Sequence, residues 1–263
     1  MSVTVTTHKK MKDTKDKITW LTAYDYSFAS LVDTAGVNAI LVGDSLGMVI
    51  QGHETPVPVT MENCIYHTQC VARGASNAMV VGDLPFGSYQ VSKEQAYENA
   101  VRLMQAGAHT IKLEGGELQV DTIKFLVDRG IAVCAHIGLT PQSVHQLGGF
   151  RIQGRGDAAK QLLEDAISVE QAGAFAVVLE AIPQLLAHEI TDRLSIPTIG
   201  IGAGPSCDGQ VLVLQDMLGI YPKKSPKFSK NYMDGAESVS QAVKNYVSEV
   251  KSGAFPAQEH SFN

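Results

Sequence analysis

One phrase recurs through this chain: a glycine, a run of apolar residues, then an acid. It reads Gly36-Val-Asn-Ala-Ile-Leu-Val-Gly-Asp44, Gly107-Ala-His-Thr-Ile-Lys-Leu-Glu114 and Gly173-Ala-Phe-Ala-Val-Val-Leu-Glu180. A looser copy runs from Gly74 to Asp83, and another ends in His136 in place of an acid. Glycine closes a helix because only glycine takes the left-handed conformation there cheaply. Five or six apolar, β-branched-rich residues then read as a strand buried on both faces. The acid falls where that strand leaves the core. Repetition therefore gathers four carboxylates and one imidazole at one end of a set of parallel strands. Packing alone does not require that; an enzyme site does.

Eight segments read as strands, at 19–23, 39–43, 78–82, 110–113, 132–135, 176–179, 197–201 and 211–214. Most are separated by helical patterns with legible ends. Ser92-Lys-Glu-Gln95 has the spacing of a capping box and opens a helix that closes at Gly107. Asp157 begins another that closes at Gly173, Pro183 takes a first-turn position, and 236–252 reads as a final amphipathic helix. The chain has 263 residues and no Pro/Gly/Ser-rich linker. A closed (β/α)8 barrel of about 250 residues is a normal single domain, so 1–263 is read as one TIM barrel with 1–17 as a helical N-terminal extension. An open doubly wound sheet would want a glycine-rich turn after its first strand, where this chain has Asp25-Tyr-Ser. Two connections, 47–58 and 138–156, exceed what a joint needs. Both leave the strand ends that carry the polar residues, as site-covering loops do.

Composition narrows the function. There are 21 Lys and Arg against 27 Asp and Glu, a net charge of −6, and no basic cluster outside 9–17. That argues against nucleic acid as a partner. The 9–17 run also holds Asp13 and Asp16 and reads as a solvated terminal helix. No apolar run approaches the roughly 20 residues that span a bilayer, and no apolar leader is visible. Cys64, Cys70, Cys134 and Cys207 lack disulfide or zinc-type spacing and read as free thiols of a cytoplasmic protein.

Asp44, Asp83 and Glu114 come from neighbouring staves of the expected barrel. Three converging carboxylates repel unless a positive charge sits between them, and hard oxygen donors suit Mg²⁺ completed by water and substrate. For each acid alone, capping of the next helix is the plainer alternative. Lys112 shares a strand face with Glu114, while Val42, Val81, Cys134 and Val178 stand two before the other strand-end groups. A lone lysine in that layer must meet an anion. It is an ion-pair partner, a cation aimed at an oxyanion, or a Schiff-base nucleophile. Glu180, across the barrel, suits a general base; capping before Pro183 is its alternative. His136 stands between these groups, placed to donate to a substrate carboxylate. Ser45 offers a hydroxyl beside Asp44. His67, His109 and His188 read as structural, and Gly200-Ile-Gly-Ala-Gly204 reads either as a phosphate loop or as a tight turn. A cation, an inward lysine and an opposed base are the apparatus for enolising a 2-oxo acid, whose carbanion then attacks an electrophile.

Several longer motifs resemble one family. Leu-Val-Gly-Asp44-Ser-Leu-Gly-Met, Asp83-Leu-Pro-Phe-Gly-Ser-Tyr, Lys112-Leu-Glu114-Gly-Gly-Glu, His136-Ile-Gly-Leu-Thr-Pro-Gln-Ser and Gly200-Ile-Gly-Ala-Gly are similar to ketopantoate hydroxymethyltransferases. Thr22-Ala-Tyr-Asp-Tyr, Gln153-Gly-Arg-Gly-Asp157, Pro226-Lys-Phe and Glu259-His-Ser-Phe extend the likeness over nearly everything after about residue 18. The resemblance implies a barrel of the phosphoenolpyruvate/pyruvate-type superfamily. It implies transfer of a one-carbon unit from 5,10-methylenetetrahydrofolate to 3-methyl-2-oxobutanoate, giving 2-dehydropantoate for coenzyme A synthesis. It places Mg²⁺ among Asp44, Asp83 and Glu114, the oxo acid on Ser45, Asp83 and Lys112, and the proton acceptor at Glu180. It also implies a homodecamer. A folate-independent, metal-dependent aldolase or lyase acting on a related oxo acid is the alternative.

Overall fold

The computed structural model describes residues 2–263. Eight parallel strands close into one barrel in sequence order: β1 (Ile18–Thr22), β2 (Ala39–Val42), β3 (Met79–Asp83), β4 (Thr110–Glu114), β5 (Val133–Gly138), β6 (Ala176–Glu180), β7 (Thr198–Ile201) and β8 (Gly209–Leu212). Pairing of β1 with β8, with Trp20 opposite Val211, closes the ring. The strands other than β5 and β8 fall within one residue of the expected spans. β5 runs three residues past 135, to Gly138, and β8 starts two residues early, at Gly209 and Gln210, residues with no apolar signature. The apolar run after it bends instead into a short helix.

The helices are α1 (Val5–Asp13), α2 (Tyr26–Thr34), α3 (Leu46–Val49), α4 (Met61–Gly74) and α5 (Lys93–Gln105). They continue as α6 (Val120–Val127), α7 (Ala158–Gln171), α8 (Gln184–Arg193), α9 (Leu214–Met217) and α10 (Val239–Ser252). Their ends follow the sequence signals. Gly36, Gly107 and Gly173 follow α2, α5 and α7 with φ of 91°, 108° and 98°. Ser92 Oγ accepts from Gln95 N at 3.1 Å, but the Gln95 side chain turns to Val91 N and Gly87 O, so only half of the expected box forms. Pro183 is the residue before α8 rather than inside its first turn.

Burial divides into layers. Trp20, Leu41, Met79, Val81, Cys134, Val178 and Ile199 fill the barrel, while Ile111, Leu113, Val133, Leu179 and Ile190 pack between sheet and helices. Val42 belongs to an outer layer with Val80 and Leu212; Leu41 is the inward residue of β2. The terminal helix α1 is not merely solvated. His8 and Met11 are buried, and His8 Nε2 accepts from Trp20 Nε1 at 2.9 Å. Lys12 pairs with Asp208 at 2.7 Å. Two apolar contacts at i and i+3 spacing were hidden among the charges of 9–17 (Met11 alone looked apolar). Helix α10 covers β1, its Tyr246 hydroxyl lying 2.9 Å from Trp20 O and 3.0 Å from Gln210 O. Among the described residues the four cysteines are free, and no helix is long and apolar enough to cross a membrane.

Candidate active site

Parallel strands put their C-terminal residues at one mouth of the barrel, and the polar residues of the repeated phrase collect there. Asp83 and Glu114 end β3 and β4, Lys112 lies one inward step below Glu114, and His136 and Glu180 stand on β5 and β6. Asp44 arrives differently. Strand parity points Val42 outward, and Asp44 reaches the mouth because the chain leaves β2 at Gly43, a turn so tight that a Cβ there would lie 2.9 Å from Ser45 Oγ.

Lys112 is the hub. Its Nζ donates to Asp83 Oδ1 and Oδ2 at 2.8 and 2.9 Å and to Glu114 Oε1 at 3.4 Å. Asp83 Oδ2 also accepts from Asp44 N at 3.1 Å. Burial opposes the lysine's charge, but Asp83, Glu114 and Asp44 outweigh it and hold its pKa well above the ordinary value. Asp44 is pushed well up by burial and then by the charges of Asp83 and Glu114. Burial also raises Asp83, against the pull of Lys112. Glu114 stays below the usual range because Lys112, His136 and the Gln142 amide outweigh its burial. With only Lys112 and His136 set against Asp44, Asp83 and Glu114, the ionised forms of Asp44 and Asp83 lack a full counter-charge, and both are pushed up for want of one.

Gln142 ties the cluster together and was not singled out in the sequence. Its Nε2 donates to Asp44 Oδ2 at 2.8 Å, its backbone N donates to Glu114 Oε2 at 3.0 Å, and its Oε1 lies 2.7 Å from the Tyr89 hydroxyl. Tyr89 in turn receives Glu114 N at 3.1 Å. The only signal was position: both sit in motifs that follow a site residue, Gln142 six after His136 and Tyr89 six after Asp83. Ser45 Oγ shares a 2.7 Å hydrogen bond with Tyr24, whose backbone carbonyl accepts from His67. His109 Nδ1 accepts from Val80 N, and His188 lies on the exposed face of α8 beside Asp192. His67 and His109 are thus engaged with backbone groups, and none of the three lines the cavity.

His136 bridges the two sides of the mouth, 3.4 Å from Glu114 Oε1 and 3.2 Å from Glu180 Oε2. Burial and Lys112 oppose its protonation, but the two carboxylates outweigh them and carry its pKa up to about 9. Each ring nitrogen faces one of these carboxylates without the alignment of a full hydrogen bond, so the attraction is largely Coulombic. Glu180 is the less buried member, its side chain 13% exposed. Ala181 beside it has φ of +47°, a left-handed conformation that is strained for a residue with a Cβ. Hydrogen bonds from Ala181 N to Ile201 O and from Gln153 N to Ala181 O hold that strain. Gly138 is obligatory nearby: at φ +93° a Cβ would meet Glu180 O at 2.3 Å.

The mouth opens into a cavity of about 890 Å³. The two long connections supply Glu54 and Pro56 from one side and Phe150, Arg151 and Arg155 from the other. A third connection, after α9, and the C-terminal Phe262 also line it; neither had been singled out. Gly200 and Ile201 end β7, and the chain turns at Gly202 and Gly204 with φ of 65° and 80°; Gly202 is packed so closely on Phe228 and Phe262 that a Cβ would lie 2.8 and 3.0 Å from them.

Asp44 and Asp83 line this cavity and lack a full counter-charge for their ionised forms, a donor set that fits a hard divalent cation held by one or two carboxylates and completed by water and substrate. Glu114 is turned to Lys112, Gln142 and His136. Among the described residues no three His, Cys, Asp or Glu groups close into a ready-made cage.

A closed barrel with buried carboxylates, lysine and histidine at its C-terminal mouth defines a (β/α)8 protein of the enzyme type. Solved structures of that fold are similar to it. Phosphonopyruvate hydrolase matches with a TM-score of 0.62 at 14% identity over 82% of this chain and 83% of that one. 2,3-Dimethylmalate lyase, of the PEP mutase/isocitrate lyase superfamily, matches at 0.58 and 13% over 83% and 81%. Sequence relatives are much nearer. The 3-methyl-2-oxobutanoate hydroxymethyltransferase of Thiobacillus denitrificans is 60% identical over the whole of both chains. That of Ralstonia nicotianae is 57% identical over 99% of this chain and 95% of its own. Residues 2–258 match the ketopantoate hydroxymethyltransferase family, and the chain belongs to it.

Proposed function

We infer that this protein transfers a hydroxymethyl group to 3-methyl-2-oxobutanoate, giving ketopantoate for pantothenate and coenzyme A synthesis. The one-carbon donor in this reading is 5,10-methylenetetrahydrofolate and the metal is Mg²⁺. The observation that carries it is the buried, over-charged carboxylate group around Lys112, faced across the mouth by Glu180.

Asp44 and Asp83 would hold the Mg²⁺, with Glu114 behind them anchoring Lys112 and His136. The ion supplies Lewis acidity toward the carboxylate and keto oxygens of the oxo acid. Lys112, whose charge is fixed by Asp83 and Glu114, places a positive group where the keto oxygen turns negative. Ser45 Oγ and His136 would be the donors for the substrate carboxylate. Glu180 takes the proton from C3; that electron pair becomes the C2–C3 double bond, and the carbonyl pair moves to oxygen. The enolate carbon then bonds to the one-carbon unit, whose two C–N bonds to the carrier break; water supplies the hydroxyl oxygen of the product and the protons left on the nitrogens, and tetrahydrofolate leaves.

A Schiff-base role for Lys112 needs a neutral amine. Three carboxylates that raise its pKa work against that, which favours the metal reading. Family resemblance extends the proposal to a cytoplasmic homodecamer. The test is an assay of purified protein with the oxo acid, methylenetetrahydrofolate and Mg²⁺, each omitted in turn. Ketopantoate is expected only when all three are present. Product formation without folate would favour an aldolase or lyase, and borohydride trapping of substrate on Lys112 after chelation would favour the Schiff base.

A further inference from the structure

The cavity has two unlike halves. The side built by the ends of β2 to β6 carries the carboxylates, Lys112 and His136. The side built by β7 and β8 is apolar, walled by Ile201, Val211 and Val213 and roofed by Phe228 and Phe262, whose rings meet edge to face at 6.4 Å. A small oxo acid fills little of about 890 Å³, a size that suits a ligand as large as a drug molecule.

The buried ionisable group on that side is Asp216, on α9; Lys223, Lys224 and Lys227 also line the cavity but are exposed, Lys227 lying over the Phe262 ring. Asp216 is 93% buried, being only 7% exposed, and it lines the cavity. No donor reaches its carboxylate, and Oδ1 is buried with no hydrogen-bond partner. No lysine, arginine or histidine among the described residues lies within ion-pair distance. An unmet buried acceptor of this kind is costly, so a native site that keeps one has a partner for it. The oxo acid is an anion and would be repelled. A lone carboxylate is also too few ligands for a second cation. What fits is a flat, largely apolar ring with N–H donors on one edge. The 2-amino-4-oxopyrimidine edge of a reduced pterin is such a group: its ring N–H and exocyclic amine point the same way, as the fork of a guanidinium does. The aspartate χ2 torsion is broad, so one or both oxygens can turn to meet them.

We propose that Asp216 reads the donor edge of the one-carbon carrier's ring, which lies along the β7–β8 wall against Phe228 and Phe262. The assignment rests on the reading of methylenetetrahydrofolate as co-substrate. Burial carries the Asp216 carboxyl up to about 6, as expected of an acid whose partner arrives only with a ligand. Asp216 is a specificity residue here: it selects and orients the carrier, and takes no proton from the oxo acid.

The test is a split of Michaelis constants in Asp216→Asn. The KM for methylenetetrahydrofolate is expected to rise about 10- to 100-fold, the range for losing hydrogen bonds to a charged group. The KM for the oxo acid and the Mg²⁺ requirement are expected to stay within about twofold. An unchanged folate KM, or an equal rise in the oxo-acid KM, overturns the assignment. A second measurement uses the unaltered protein: tetrahydrofolate lacking the 2-amino group should bind about tenfold or more weakly than tetrahydrofolate, and equal affinity overturns it. If the unaltered protein forms no ketopantoate with methylenetetrahydrofolate, the co-substrate reading itself has failed. Product formation with an unshifted Asp216→Asn constant defeats only the role of Asp216.

Discussion

Lys112 holds two carboxylates that would otherwise repel in a buried site, and a third acts on it through the same field. Removing one partner of a buried charge group leaves the others uncompensated, at about 3–5 kcal/mol. Lys112→Met is therefore expected to lower unfolding stability by that amount in urea titration, with the midpoint shifted and the slope unchanged. A loss under about 1 kcal/mol would mean the carboxylates are hydrated rather than paired. Lys112, Glu114, Asp83, His136 and Glu180 were legible because strand alternation fixes which face each occupies. Asp44 was legible for a reason that did not hold: its parity points away from the barrel, and the turn at Gly43 brings it back. Gln142, Tyr89 and Asp216 were not legible, because loops and a short helix carry them and no periodicity aims a side chain from there.

Helix α1 closes the barrel at the end opposite the site, and its hold depends on a neutral imidazole. Burial lowers the His8 pKa to about 4, from about 6.5 in the unfolded chain, and His8 Nε2 must stay unprotonated to accept from Trp20. The unfolded chain binds more protons between those values. The contribution of His8 is thus present in full above about pH 6.5 and is lost as pH falls through 4, amounting to a few kcal/mol. Unfolding free energy measured from pH 7 to 4 should fall accordingly in the native chain, and should fall less steeply in His8→Gln, whose side chain does not titrate. Equal slopes in the two would remove His8 as the cause. A terminal helix was legible over 9–17 but forms at Val5–Asp13, ending before Thr14, and its docking was not legible. Charge dominates its composition, and the partner that buries its inward face, Trp20, lies in a different element.

The whole molecule follows from a repeated unit. Helices α2, α5 and α7 run into a glycine, most strands are apolar on both faces, and closure of eight βα units leaves one place for the terminal acids to meet. That much was readable because barrel closure is a consequence of local pattern repeated eight times. The far half of the cavity was not, since it is assembled from the β8–α9 connection, the segment around Phe228 and the C-terminal Phe262, which are remote in sequence. In the proposed reading, the polar half sets cation-binding acids on one side of an oxo acid and Glu180 on the other. Exchange of the C3 proton of 3-methyl-2-oxobutanoate with D2O, followed by NMR without folate, tests that placement most directly. Exchange is expected to require Mg²⁺ and to slow by about 10²–10⁴-fold in Glu180→Gln. Exchange at the full rate after chelation, or at the native rate in Glu180→Gln, would contradict it.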